Sequence, residues 1–287
     1  MSDIILRQRT TAVAENTGLN NKIDMKITIC MAYTNRLEQL KRTLRAFGKS
    51  KENFSVVIAN DGHEKLSISD LPAIGKYFEI LDSDGIKEKT WHDPAVPVNK
   101  ALSVAINDLR SDIIILCNPE CMPVGDIITD CTTLKPSEYR VYGCLSLDKE
   151  TSDNIDNIDL KGLAESIERG ASKDFDLAWY QHSIYRPVCY EFCAAMNASD
   201  MRRLNGYDER LAFGWGYSDN YLLHRIKLMG MNVTMVDAPF VAHQWHAKVN
   251  DTPQRNDLVN ANRIIFNQLI STITKPKALR LITKDIL

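Results

Sequence analysis

A chain of 287 residues, 44% apolar and 25% charged, has the balance of a globular protein and the length for one large domain or two small ones, which excludes coiled-coil, collagen-like and largely disordered architectures. With 35 Lys plus Arg against 37 Asp plus Glu the net charge is −2, so nothing in the charge points to a nucleic-acid partner and none is expected. Residues 1–21 are polar, without the apolar stretch of a signal peptide, and no apolar run reaches the roughly 20 residues of a membrane helix, so a soluble, cytoplasmic protein is expected.

Lys26 to Ala32 is a short β-branched apolar run that predicts a strand, and Leu37, Leu40, Leu44 and Phe47 then fall on one helical face, with Asn35 as cap and Gly48 as stop. Phe54 to Ala59 predicts a second strand ending in the turn residues Asn60-Asp61-Gly62, and a third is expected near Tyr77 to Leu81. Ala101, Leu102, Ala105, Ile106 and Leu109 repeat at helical spacing. Asp112 to Cys117 follows, with the continuous apolar run of a strand buried on both faces. This alternation predicts right-handed βαβ units in a doubly wound sheet, with ligands beyond the strand carboxyl ends, at 33–36, 60–62 and 118–120.

The second half is less regular. Tyr139 to Leu147 and Cys189 to Met196 read as strands, with an acidic helix-and-loop insertion from Asp148 to Asp176 between them; its Asp153, Asp156 and Asp159 read as a solvated face. Helices are expected from Ser199 to near Gly206 and from about Asp219 to Met229, and a strand from Asn232 to Val236. Of the seven cysteines, Cys117 and Cys121, then Cys189 and Cys193, stand at four-residue steps, wider than a zinc knuckle, and read as small buried hydrophobes.

Met31-Ala-Tyr-Thr-Asn-Arg36 contains no glycine, which argues against a dinucleotide fingerprint or a P-loop, and no G-x-S-x-G elbow is present. Carboxylates and histidines remain at loop positions: Asp61, Glu120, Asp208, Asp219, His243 and His246. Asp208 and Asp219 flank an aromatic, glycine-containing loop, and the two histidines close a late strand.

The run Glu191-Phe-Cys-Ala-Ala-Met-Asn-Ala-Ser-Asp-Met-Arg-Arg-Leu-Asn-Gly-Tyr-Asp-Glu209, followed by Phe213-Gly-Trp-Gly-Tyr-Ser-Asp-Asn220, resembles the acceptor and catalytic segment of GT-A fold glycosyltransferases. It is closest to the galactosyltransferase-like branch, with its NGF/YDE turn and following GWGGEDDD. Ala32 to Arg36 and Val56 to Asp61 are similar to that superfamily's two nucleotide-contacting loops. The resemblance spans about residues 26 to 247 and is most specific from Asn205 to Asn220. It implies an α/β GT-A fold: a doubly wound, mostly parallel sheet with a nucleotide-binding N-terminal half and an acceptor-binding C-terminal half. The expected organisation is a tail over 1–25, the glycosyltransferase domain over 26–250 and a helical extension over 251–287. The activity implied is inverting, metal-assisted transfer of a sugar from a nucleotide-diphosphate donor, expected to be a UDP-sugar, to a hydroxyl of a glycan or other acceptor. The alternative is a catalytically decayed binding protein of the same fold.

Residue by residue, the resemblance implies that Arg36 and Asp61 contact the nucleotide, with Asn118 beside them, and that Asp219 is the catalytic base. Trp215, Gly216, Tyr217 and Asp208 would form the acceptor side. Asn118-Pro119-Glu120 stands where the family has its Asp-x-Asp metal motif, with an amide for the first carboxylate. Glu120 would then hold a divalent ion with His243 and His246, and histidine ligands favour Mn²⁺ over Mg²⁺. Ser218 and Asn220 replace acidic neighbours of Asp219. Asn99 is a candidate for donor contact or for helix entry, and Trp179, Tyr180, His182 and Tyr185 for an acceptor platform. Lys275, Lys277, Arg280 and Lys284, among apolar residues, read as a surface helix, with an anionic membrane as the less frequent alternative.

Overall fold

The computed structural model describes residues 25–62, 65–74, 77–82, 90–247 and 253–272. The polar tail up to residue 24 and the basic stretch from Lys275 to Lys284 lie outside the described residues. The chain begins with β1 (Ile27–Tyr33), α1 (Leu37–Phe47), β2 (Phe54–Asn60), β3 (Tyr77–Asp82), α2 (Ala95–Ser103) and β4 (Ile113–Cys117). These four strands are parallel in the order β3-β2-β1-β4. Then come β5 (Cys121–Val124), α3 (Ile127–Cys131), β6 (Glu138–Ser146), α4 (Lys149–Asp153), α5 (Leu160–Ser166), β7 (Ala178–Gln181), β8 (Cys193–Asn197), α6 (Ala198–Leu204), α7 (Ser218–Leu228), β9 (Asn232–His243) and α8 (Pro253–Thr272). They continue the sheet as β4-β8-β6-β9-β5, with β7 also on β6. β8 is antiparallel to β4 and β6, β9 is parallel to β6, and β5 is antiparallel to β9.

The period-two alternation of side chains divides the core between the two faces of the sheet. On β4, Ile113, Ile115 and Cys117 join Leu40, Leu44 and Phe47 of α1, whereas Ile114 and Leu116 join Ala101 and Leu102 of α2, Met201 of α6 and Leu222 and Ile226 of α7. All five β4 residues are buried, as a strand covered on both faces requires. Both faces carry helices, so the sheet is doubly wound. No helix among the described residues is long and apolar enough to cross a membrane.

Several boundaries differ from the sequence expectation. Asn35 does not cap α1: it takes φ +47°, and Arg36 occupies the cap position without a side-chain bond to the helix. Asn35 Oδ1 instead lies against Gly62, joining the loops that follow β1 and β2. α2 starts at Ala95, earlier than its apolar spacing suggests, and continues through a wider turn at Val104–Asp108. The expected strand from Cys189 is reduced to Cys193–Asn197, with Cys189 itself at φ +63°. The short β5, β7 and α3 have too few residues to display a period. Asp153, Asp156 and Asp159 are exposed. All seven cysteines are free, and six are buried.

Ile115→Ala on β4 should cost about 2–5 kcal/mol, because it opens a cavity at a side chain with 0% exposure. Ile184→Ala, at 76% exposure, should stay within about 0.5 kcal/mol. Urea unfolding of both variants checks the contrast.

Candidate active site

Asn118-Pro119-Glu120 is a tight turn between β4 and β5. The Asn118 N–H donates to Phe192 O and its carbonyl accepts from Cys121 N. β5 then pairs antiparallel with β9, setting Cys121 opposite His243, and Gln244 N donates to Glu120 O. A carboxylate and a histidine that are more than a hundred residues apart thus become neighbours. His243 Nε2 is 3.6 Å and His246 Nε2 3.8 Å from Glu120 Oε1, and the ligand atoms of the three residues lie within 4.8 Å of one another.

The chain from 243 to 246 is firmly held. Gln244, fully buried, donates from Nε2 to Gln39 O, Thr43 Oγ1 and Glu120 O, Gln39 Nε2 donates to Trp245 O, and Trp245 N donates to Ser152 Oγ. Aromatic rings enclose the histidines: Phe175 edge-on to His246 at 5.0 Å, and Tyr180 edge-on to His243 at 5.1 Å.

Burial alone would raise the Glu120 carboxyl, but Arg36, then His243 and His246, bring it below the usual range. Arg36 Nη1 donates to Glu120 Oε1 at 2.7 Å. Burial lowers His243 to about 4, so its imidazole is neutral at neutral pH, the form that ligates metals. Among the described residues, Glu120 Oε2 and His243 Nδ1 are buried without a hydrogen-bond partner. Orphaned acceptors of this kind are rare in a packed interior, and the donor set of one carboxylate and two imidazoles fits a divalent transition metal.

Above this group opens a cleft of about 320 Å³. Arg36, Arg186 and Arg255 supply its positive charge, and Phe175, Tyr190, Phe192 and Trp215 its aromatic walls. Trp215 is set by α8: its N–H donates to Leu258 O, and the Arg255 guanidinium lies 5.1 Å from its ring centroid. Asn262 of α8, fully buried, donates from Nδ2 to Leu211 O and Gly216 O, gripping both ends of the loop. A Cβ at Gly214 would run into Asn262 Oδ1 and stand 2.8 Å from the backbone Leu258 O, so only glycine fits there; Gly216 takes φ +71°, the left-handed region that favours glycine.

Asp219, in the first turn of α7, belongs to a separate acidic group beside the cleft. Ser218 Oγ lies 2.9 Å from Asp93 Oδ2 and 3.2 Å from Asp219 Oδ1, and the Glu191 and Asp219 carboxyls are hydrogen-bonded to each other. Burial and the Asp219 charge raise Asp93 to about 7. The same two causes push Glu191 well above the carboxylate range. The carboxyl groups missing at Ser218 and Asn220 are therefore supplied by distant segments, in forms that hold on to their protons. Tyr190 and Phe192 face the cleft while Glu191, between them, meets Asp219, and Asn220 Nδ2 donates to the Tyr190 hydroxyl at 2.8 Å.

Other expected site residues fall elsewhere. Asp61 is buried at the end of β2 and accepts from Trp91 Nε1 at 2.7 Å. Asn99, within α2, is a structural clamp: its amide accepts from Tyr207 N and donates to Tyr207 O and Glu209 Oε1. Asp208 caps the short turn at Glu209–Leu211 and pairs with Arg210, so its oxygens serve the turn. Tyr217, at φ +69°, packs on Phe266 of α8. Of the expected aromatic platform only Tyr180 lines the cleft; Trp179 is buried with its indole N–H on Ile167 O, and His182 is packed between Trp179 and Tyr185. Arg186, Arg255, Asp93 and Glu191 carry little sign of their roles in the sequence, since each acts only through a tertiary neighbour; Asp93-Pro94 ahead of a helix is the one local signal.

Residues 191–247 match the family described as the N-terminal domain of galactosyltransferase. No curated protein sequence matches the chain. Among solved structures, the fragment 1–349 of S. aureus TarS in complex with UDP-GlcNAc superposes with a TM-score of 0.51 at 9% identity, covering 88% of this chain and 69% of that one. Complete TarS gives 0.52 at 9% identity, with 88% of this chain and 41% of that chain covered. The mannosyltransferase PcManGT from Pyrobaculum calidifontis, in complex with GDP-Man and Mn²⁺, gives 0.47 at 12% identity, with 89% and 67% covered. The fold is the GT-A fold, and over residues 191–247 the sequence is similar to the N-terminal domain of galactosyltransferase.

Asp93 generates a pH-dependent prediction. A carboxyl that keeps its proton up to about 7 when folded, but only to about 4 when unfolded, opposes folding as pH rises through that window. Asp93→Asn cannot ionise, so relative to wild type it should gain stability between pH 4 and pH 8, on the order of 1 kcal/mol per unit of pKa difference. Unfolding midpoints at both ends of the range check this; a difference that does not change with pH would show that Asp93 ionises freely in the fold.

Proposed function

We propose that the protein is an inverting, metal-assisted glycosyltransferase that moves a sugar from a UDP-sugar to an acceptor hydroxyl. The observation that carries this reading is the group Glu120, His243 and His246, with its orphaned buried atoms, set beneath a cleft walled by three arginines and Trp215. A divalent ion held by these residues, Mn²⁺ in preference to Mg²⁺, supplies neutralisation of the diphosphate as it leaves. Arg36, Arg186 and Arg255 add fixed positive charge at the same place, and arginine forks match phosphate oxygens in pairs. The UDP-GlcNAc bound by the TarS fragment supports a uridine nucleotide as donor, with Asp61 and Asn118 at the strand ends where such a nucleotide would lie.

On the acceptor side, Trp215 offers a flat face for a sugar ring. Asp219 takes the proton of the acceptor hydroxyl while that oxygen attacks the anomeric carbon. The bond from that carbon to the diphosphate breaks, its electron pair leaves with the diphosphate, and a single displacement of this kind inverts the anomeric centre.

Glu120→Ala should abolish metal-dependent UDP affinity, since it removes the only carboxylate of the group; His243→Ala should weaken it and His246→Ala less so, all read by calorimetry with Mn²⁺. Unchanged coupling in Glu120→Ala would exclude the site.

Asp219→Asn should keep the fold and UDP affinity while transfer falls by roughly 10² to 10⁴. If wild type neither transfers sugar nor hydrolyses any nucleotide sugar with Mn²⁺ or Mg²⁺, the protein is a binding module of the same fold.

A further inference from the structure

The Arg36 guanidinium faces two ways. Its Nη1 is 2.7 Å from Glu120 Oε1, yet the side chain also lines the cleft, and it is 29% exposed where Glu120 is 6%. The oxygen it holds is the one that both histidines approach, at 3.6 and 3.8 Å. Arg36 therefore occupies the carboxylate oxygen nearest both imidazoles, leaving Oε2 without a hydrogen-bond partner among the described residues, and a cation bound by Glu120 and the histidines would share this one carboxylate with it. Glu120 is its hydrogen-bond partner among the described residues, and its side chain makes no cap bond to α1.

Two cations on one buried carboxylate repel each other strongly where water does not screen them. Arg36 cannot simply withdraw, because a buried carboxylate left without a partner is strongly unfavourable. The exchange becomes favourable when each separated group finds a new partner: the carboxylate a divalent ion, and the guanidinium a diphosphate in the cleft.

We propose that Arg36 couples the two halves of the donor site, neutralising Glu120 before loading and turning to the diphosphate when a divalent ion takes its place, so that ion and diphosphate bind synergistically. This rests on the metal reading of Glu120, His243 and His246 given above. Because coupling is reciprocal, the factor by which UDP tightens the ion equals the factor by which the ion tightens UDP.

The test is Mn²⁺ binding, followed by electron paramagnetic resonance of the free ion, alone and with UDP, in wild type, Arg36→Met, Arg36→Lys and Glu120→Ala. Arg36→Met removes the competitor, so it should bind Mn²⁺ alone about tenfold more tightly than wild type, and UDP should tighten that affinity by a clearly smaller factor than the about 5- to 150-fold expected in wild type, where the direct contact between ion and diphosphate and the release of Arg36 both contribute. Arg36→Lys keeps a charge for Glu120 but loses the fork for phosphate, so it should bind Mn²⁺ alone as weakly as wild type while losing most of the synergy. Mn²⁺ affinity in Arg36→Met at or below wild type overturns the proposal, and so does intact synergy in Arg36→Lys should Arg36→Met fail to fold. If wild type and Arg36→Met bind Mn²⁺ no better than Glu120→Ala, the metal reading itself fails; Mn²⁺ binding that needs Glu120 but ignores Arg36 sinks this inference alone.

Discussion

A carboxylate that stays ionised out of water must be given a cation, and in the candidate site that constraint falls on Glu120. Its side chain is 6% exposed, one oxygen is held by Arg36 and the other has no hydrogen-bond partner among the described residues. Leaving a charge so placed is expensive unless something binds it. The surroundings are arranged to keep it there: the β5–β9 pairing, the three bonds from Gln244 and the anchoring of Trp245 to α1 and α4 fix two imidazoles beside it. Rigid support of this kind holds metal-binding side chains in register more firmly than a loop alone would.

The second half of the chemistry is kept apart from the first. Three arginines, one carboxylate, Asp174, and several aromatic rings line the cleft, while Asp219 lies with Glu191 and Asp93 in an acidic group beside it. The excess of cations on the cleft side suits a displacement reaction, since a leaving diphosphate needs cations and an acceptor hydroxyl needs a base. Residues 190–192 form the partition, Tyr190 and Phe192 towards the cleft and Glu191 towards Asp219.

The loop from Leu211 to Tyr217 connects the two regions, and α8 determines its shape. Asn262 binds carbonyls near both ends of the loop, Leu258 accepts from Trp215, and Phe266 packs on Tyr217. Gly214 and Gly216 serve different needs within this one loop: close approach to Asn262 at the first, a left-handed backbone at the second. The glycines thus shape the loop around α8 in the described structure.

The apolar runs of β1, β2 and β4 and the one-sided face of α1 were legible in the sequence, because periods of two and 3.6 residues are local consequences of burial. The run from Asn205 to Asn220 likewise displayed its glycosyltransferase likeness in adjacent residues. Glu120, His243 and His246 could be nominated as polar residues at strand ends, but their meeting depended on antiparallel pairing between strands more than a hundred residues apart. Asp208 serves a turn through its near neighbour Arg210, whereas tertiary contacts alone decided that Asn99 clamps Tyr207 and Glu209, that Arg186 and Arg255 enter the cleft, and that Glu191 and Asp93 stand beside Asp219. The physical reason is the range of the forces involved: backbone geometry and side-chain periodicity act within a few residues, whereas the partner of a buried charge or hydrogen-bonding group is chosen by whatever the fold brings within a few ångströms, and sequence separation carries no record of that choice.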